Sequence, residues 1–79
     1  MEIPKYTQQQ LEILVAFGQR LRRIREERNL TQEALAEMAD FSRSYYTEVE
    51  NGRRNISLLN IKKLATVLGI SVSEILKTL

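Results

Sequence analysis

The sequence contains no cysteine and no histidine. Without thiolates there is neither a disulfide framework nor a sulfur-ligated metal site, and without imidazole the usual general base is missing. Zinc chemistry, redox sensing and histidine-based hydrolysis are excluded together, and no cofactor is expected. A single proline and three glycines beside 43% hydrophobic residues fit a compact helical bundle. The longest mainly apolar run, Ile13 to Phe17, is far shorter than the roughly 20 residues that span a bilayer. No basic stretch precedes an apolar one at the N-terminus, as a signal peptide requires. The expectation is a cytoplasmic protein without membrane attachment.

Alternating strand patterns, internal repeats, linkers and low-complexity stretches are also missing. A length of 79 residues leaves room for one domain, 1–79, with residues 1–10 as an N-terminal extension. A chain this short buries only about 60–65% of its unfolded surface, so association with a second copy would add to a small core. The net charge of +2 is mild, but its distribution is uneven. Five arginines lie within Arg20–Arg28, and Arg43, Arg53, Arg54, Lys62 and Lys63 follow later, while Glu26, Glu27, Glu33, Glu37 and Asp40 gather between them.

Periodicity predicts five helices. The first runs from near Thr7 to Arg28, with Leu14, Phe17, Leu21 and Ile24 recurring at threes and fours as a core stripe. Asn29 ends it. Thr31 caps a second helix, Gln32 to Ala39, whose Leu35, Ala36 and Ala39 share a face. The pattern breaks at Asp40-Phe41, and Ser42 caps a third helix, Arg43 to Asn51, which Gly52 stops. A basic loop, Gly52 to Ile56, leads to Ser57, the cap of a fourth helix. That helix turns Leu58, Ile61, Leu64, Ala65 and Leu68 inward and ends at Gly69. Ser71 opens a fifth, with Glu74 at capping-box spacing.

Two short helices joined by so tight a turn, Thr31 to Gly52, cannot bury much against each other alone. A known use of the arrangement is to push the second helix into the major groove of DNA. The segment TQEALAEMADFSRSYYTEVENG, with FGQRLRRIR before it and IKKLA and LGISVSEIL after it, resembles the lambda-repressor-like (Cro/C1, XRE) helix-turn-helix family of DNA-binding proteins. The likeness covers about residues 17 to 77. It implies an all-α, compact five-helix fold in which helices two and three form the helix-turn-helix. Two departures stand out. Asp40 occupies the turn position where the family usually has glycine, and Tyr46 replaces an aliphatic core residue.

Within that frame Tyr46 and Val49 point inward, so Arg43, Ser44 and Thr47 occupy the opposite face at the entering end of helix three. Arg43 suits a base contact, because its planar fork matches guanine O6 and N7. A phosphate contact, or an ion pair with Glu48 or a neighbouring acid, is the rival role. Ser44 and Thr47 fit base or phosphate hydrogen bonds, or simple exposure. Thr31 and Gln32 sit at a helix N-terminus, a ready anion site, and the family commonly places a glutamine there on a phosphate. Tyr45 is a further phosphate candidate, with core packing as the alternative. Asn51, Arg53 and Arg54 would meet the backbone further along and set register. The resemblance implies that Glu50 braces the structure by pairing with an arginine of helix one.

The expected function is a sequence-specific transcription regulator binding a palindromic double-stranded DNA operator as a homodimer, with half-sites about 34 Å apart. Among short members of the family the chain resembles restriction–modification controller proteins, then phage-type repressors, and autoregulation through concentration is the expected control. Ile70, Val72, Ile75, Leu76 and Leu79 are the expected dimer interface. Glu33 and Glu37 are candidates for an RNA polymerase contact. No small-molecule ligand is expected. The alternative is an antitoxin or other protein-interaction module using the same fold, which would need a partner-binding segment within Met1–Gln10. An enzyme is not expected, since the adjacent Glu26 and Glu27 face different ways.

Overall fold

A computed structural model describes residues 5–79. Five helices follow in order, α1 (Gln8–Glu27), α2 (Gln32–Met38), α3 (Arg43–Glu50), α4 (Leu58–Leu68) and α5 (Val72–Ile75). Of the expected N-terminal extension, residues 1–4 lie outside the described residues. Gln8 to Gln10 already form the first turn of α1. No helix among the described residues is long and apolar enough to cross a membrane.

Every helix starts the same way. Thr7, Thr31, Ser42, Ser57 and Ser71 hold extended backbone, and each hydroxyl oxygen accepts the amide N–H three residues on, satisfying a donor the helix cannot pair internally. The reciprocal capping box forms at Thr7 and Gln10, whose side chain accepts the Thr7 N–H at 2.9 Å. At Ser71 only half of the expected box forms. Glu74 is drawn away by the Arg20 guanidinium, 2.9 Å from its carboxylate, which ties α5 to α1.

The first four helices also stop alike. Asn29, Asp40, Gly52 and Gly69 all adopt the left-handed backbone, φ +56, +61, +74 and +70°. In each case the next residue's N–H reaches back to a carbonyl in the last turn: Leu30 to Arg25, Phe41 to Ala36, Arg53 to Glu48 and Ile70 to Ala65. These are Schellman turns. Asp40 therefore does the conformational work of the family's glycine at the steric cost of a short polar side chain in that region.

The core gathers Phe17, Leu21 and Ile24 from α1, Leu35, Ala36 and Ala39 from the α2 stretch, Tyr46 and Val49 from α3, Ile56, Leu64, Ala65 and Leu68 around α4, and Ile75. Ala36 is 2% exposed in the angle between α2 and α3, where a larger side chain would part them. Gly18 performs a similar service between α1 and α3. A Cβ there would strike the backbone carbonyls of Glu50 and Val49, so only glycine lets the two helices lie this close.

Two expectations are corrected. Leu58, assigned inward by its spacing, is 69% exposed. It is the first residue of α4, where side chains lean back past the helix start and find no neighbouring turn to cover them. Ile75, assigned to a dimer surface, is fully buried. Because α5 is a single turn, its one inward position is consumed by the monomer core. Ile70, Val72 and Leu76 are partly buried against that core, and Leu79 is exposed.

Candidate nucleic-acid interface

The entering end of α3 is set by the Ser42 cap and by the burial of Tyr46 and Val49, which together rotate Arg43, Ser44 and Thr47 outward. Arg43 and Ser44 are exposed and Thr47 is half-buried. With Gln32 and Glu48 these three line one open, shallow concavity. The Arg43 guanidinium makes no ion pair or hydrogen bond among the described residues. Its expected rival partner, Glu48, is held instead by Arg54, with the Arg54 Nε 2.6 Å from the carboxylate. Arg43 is thus a free planar donor set at the mouth of the concavity.

Beneath this face runs a buried polar network. The Arg25 Nε and Nη2 each donate to one oxygen of Glu50 at 2.9 Å, and Arg25 Nη1 donates to the Leu30 carbonyl at 2.7 Å. The arginine of helix one that pairs with Glu50 is therefore Arg25. Burial alone would raise the Glu50 carboxyl's pKa, but the Arg25 guanidinium, with the Tyr46 hydroxyl and the Gln32 amide beside it, outweighs that and holds it below its ordinary value. The Glu50 pairing in turn raises Arg25 further. The Tyr46 hydroxyl lies beside this pair, buried and without a hydrogen bond of acceptable geometry. Burial and the nearby carboxylate push its pKa well up, so it remains a neutral phenol.

Gln32 is the link between this network and the outer face. Its Nε2 donates to Glu50 at 3.0 Å and its Oε1 accepts from the Thr47 hydroxyl at 3.3 Å. Its side chain is therefore shared between bracing α2 on α3 and any phosphate contact. Thr31, exposed beside it, spends one lone pair on the Ala34 N–H. Tyr45 is half-buried and packs against the core. The ring meets Phe41 edge-on at 5.1 Å, while the hydroxyl accepts from Asn60 at 3.1 Å with its own proton still available. Arg54 lies over the same ring, 5.7 Å from its centre.

Asn51 and Arg53 are exposed after α3, and the Schellman turn at Gly52 aims this stretch back beside the helix. Exposed Arg43, Arg53 and Arg54, with Glu48 paired to Arg54, give this side of α3 a basic character that suits a polyanion, while Glu33, Glu37 and Asp40 line the concavity on the other side of Arg43. The Glu48–Arg54 tie has no signal beyond a separation of six residues, and the Gln32 relay has none. The two side chains that sequence reasoning left off the surface altogether are Leu58 and Leu59, 69% and 77% exposed just after the basic loop.

Comparison with known proteins fits this geometry. Residues 21–75 match the helix-turn-helix family HTH_3. Control protein C.MunI of Mycoplasma sp is 43% identical over 65 residues, which cover 81% of this chain and 88% of that protein. Control protein C.BamHI of Bacillus amyloliquefaciens is 42% identical over 65 residues, 81% and 80% of the respective chains. The crystal structure of the restriction-modification controller protein C.AhdI from Aeromonas hydrophila superposes with a TM-score of 0.77 at 53% identity, over 78% of this chain and 94% of that one. The family match spans α2, α3 and the face they build, and on that ground the chain belongs to the HTH_3 helix-turn-helix family.

Proposed function

We propose that the protein is a DNA-binding transcription regulator of the restriction–modification controller kind, which binds a palindromic operator as a homodimer and regulates its own synthesis in the cytoplasm. The observation that carries the reading is the unpaired Arg43 guanidinium at the entering end of α3, beside Ser44 and Thr47. In the major groove Arg43 donates to guanine O6 and N7, a contact worth about 1–3 kcal/mol of discrimination. Ser44 meets a neighbouring base or phosphate, and Thr47 a neighbouring base. The N–H groups at the start of α2, next to Thr31 and Gln32, hold one phosphate. Tyr45, Asn51, Arg53 and Arg54 hold others and set register. Arg54 reaches its phosphate by exchanging Glu48 for it.

Two-fold symmetry is supported by the apolar surface a monomer leaves open. Leu58 and Leu59 are the most exposed large apolar side chains among the described residues, and contiguous exposed patches of this kind mark interaction surfaces. We place the seam on them, extended by what α5 leaves uncovered of Ile70, Val72, Leu76 and Leu79. Glu33 and Glu37, exposed on α2, remain the candidates for a polymerase contact.

The test is selection of binding sites from random duplex DNA, with affinity for the winning site measured across salt concentrations. A two-fold-symmetric consensus is expected, and Arg43→Ala should lower affinity for it about 5- to 150-fold. Arg53→Ala should weaken all sequences alike and flatten the salt dependence by about one phosphate's worth. Salt-sensitive binding with no consensus would overturn the reading.

A further inference from the structure

We propose that Thr47 faces DNA as an acceptor only, its hydroxyl proton turned inward by a relay through Gln32, and that the protein therefore discriminates against guanine at the base Thr47 meets. The proposal rests on the reading that α3 enters the major groove.

The relay starts from a group whose polarity is beyond doubt. Glu50 is buried, grips Arg25 through both oxygens at 2.9 Å, and as a carboxylate can only accept. Gln32 meets it at 3.0 Å, so the end of the amide turned to Glu50 must be the NH2 group. That fixes the amide's orientation and points Oε1 the other way, at the Thr47 hydroxyl 3.3 Å distant. A carbonyl oxygen cannot donate, so Thr47 must. A hydroxyl has one proton and two lone pairs. Once the proton is committed to Gln32, the open side of Thr47 offers lone pairs and the Cγ2 methyl.

Thr47 lines the concavity together with Arg43 and Ser44, so that open side is the one a base edge meets. Adenine N6 and cytosine N4 carry amino protons that a lone pair can accept, and thymine carries a methyl that the Thr47 methyl can touch. Guanine presents O6 and N7, two acceptors. Facing Thr47 they would bring lone pairs against lone pairs with no proton between. To donate to guanine, Thr47 would have to abandon Gln32 and leave the half-buried amide oxygen unpaired. A buried polar network so becomes a rule about sequence, transmitted from Arg25 to the groove by donor and acceptor logic.

The experiment compares site selections by the wild type and by Thr47→Val, Thr47→Ser and Gln32→Ala, each checked for a native melting transition. The base that Thr47 meets is the position whose preference changes in Thr47→Val. Wild type should disfavour guanine there at least about fivefold. Thr47→Ser keeps the hydroxyl and the relay and should keep that exclusion. Gln32→Ala frees the proton, and guanine should become acceptable to within about twofold, whatever general affinity is lost.

A wild-type preference for guanine at that position, or an exclusion that survives Gln32→Ala, would overturn the proposal. A Thr47→Val selection identical to wild type would do so as well, while leaving operator recognition by Arg43 standing. Failure of every variant and the wild type to select any consensus would instead remove the underlying reading of α3.

Discussion

The guanidinium of Arg25 and the carboxylate of Glu50 meet inside the protein as a two-pronged pair, both bonds 2.9 Å, joining α1 to the end of the helix that carries Arg43. Removing one partner leaves a buried charge uncompensated. Arg25→Ala or Glu50→Ala should each cost about 3–5 kcal/mol, most of the stability of a domain this small. Replacing both by apolar residues of similar volume, Arg25→Met with Glu50→Leu, should recover much of that loss, as read from urea midpoints.

The same pair sets an acid limit. The folded Glu50 carboxyl has its pKa depressed, so its contribution is complete above the ordinary carboxylate range of about 4.3 and is lost as pH falls through the lower folded value. The melting temperature should hold from neutral pH down to about 5 and then fall. In the Arg25→Met, Glu50→Leu protein that acid decline should be shallower.

Gly18 is a mid-helix glycine that resists replacement. Helix propensity alone favours alanine by about 1 kcal/mol. A Cβ, however, would press on the backbone of Val49 and Glu50, atoms that cannot rotate aside. The overpacking term of about 1–3 kcal/mol or more wins, so Gly18→Ala should lower the melting temperature and weaken DNA binding by displacing α3.

Tyr46 should behave in the opposite sense. Its hydroxyl is buried beside the Glu50 carboxylate without a hydrogen bond of acceptable geometry, and a buried polar group left poorly paired costs up to about 1–3 kcal/mol. Tyr46→Phe keeps the ring and removes the cost, so calorimetry should show the melting temperature rising by several degrees.

The dimer seam can be separated from the groove contacts by sedimentation. Leu58→Ser with Leu59→Ser should shift the protein to monomer and lower operator affinity, while circular dichroism stays helical, because both side chains lie outside the core. A protein that remains dimeric with these changes would move the seam to the Leu76–Leu79 end.

Much of this molecule is local and so was legible in the chain. Thr7, Thr31, Ser42, Ser57 and Ser71 start helices and Asn29, Asp40, Gly52 and Gly69 stop them through interactions spanning three to five residues. That is why the ends of the first four helices fell within a residue of expectation, while α5, with no left-handed stop, closes after one turn at Ile75 although Leu76 and Leu79 were expected on its face. It is also why Tyr46 and Val49, three apart, declared the opposite face of α3. The sequence by itself thus determined five helices, their order, the turn at Asp40 and the outward placement of Arg43 and Ser44. Tertiary structure decided what depends on meetings between distant residues. Period alone could not tell that Leu58 at a helix start has nothing to cover it, that the single turn of α5 spends Ile75 on the core, or that Gly18 is where α1 lies on α3. Nor could it show Glu48 turning to Arg54, or Gln32 joining Thr47 to Glu50, because side-chain hydrogen bonds follow from positions in space that only the packed helices define.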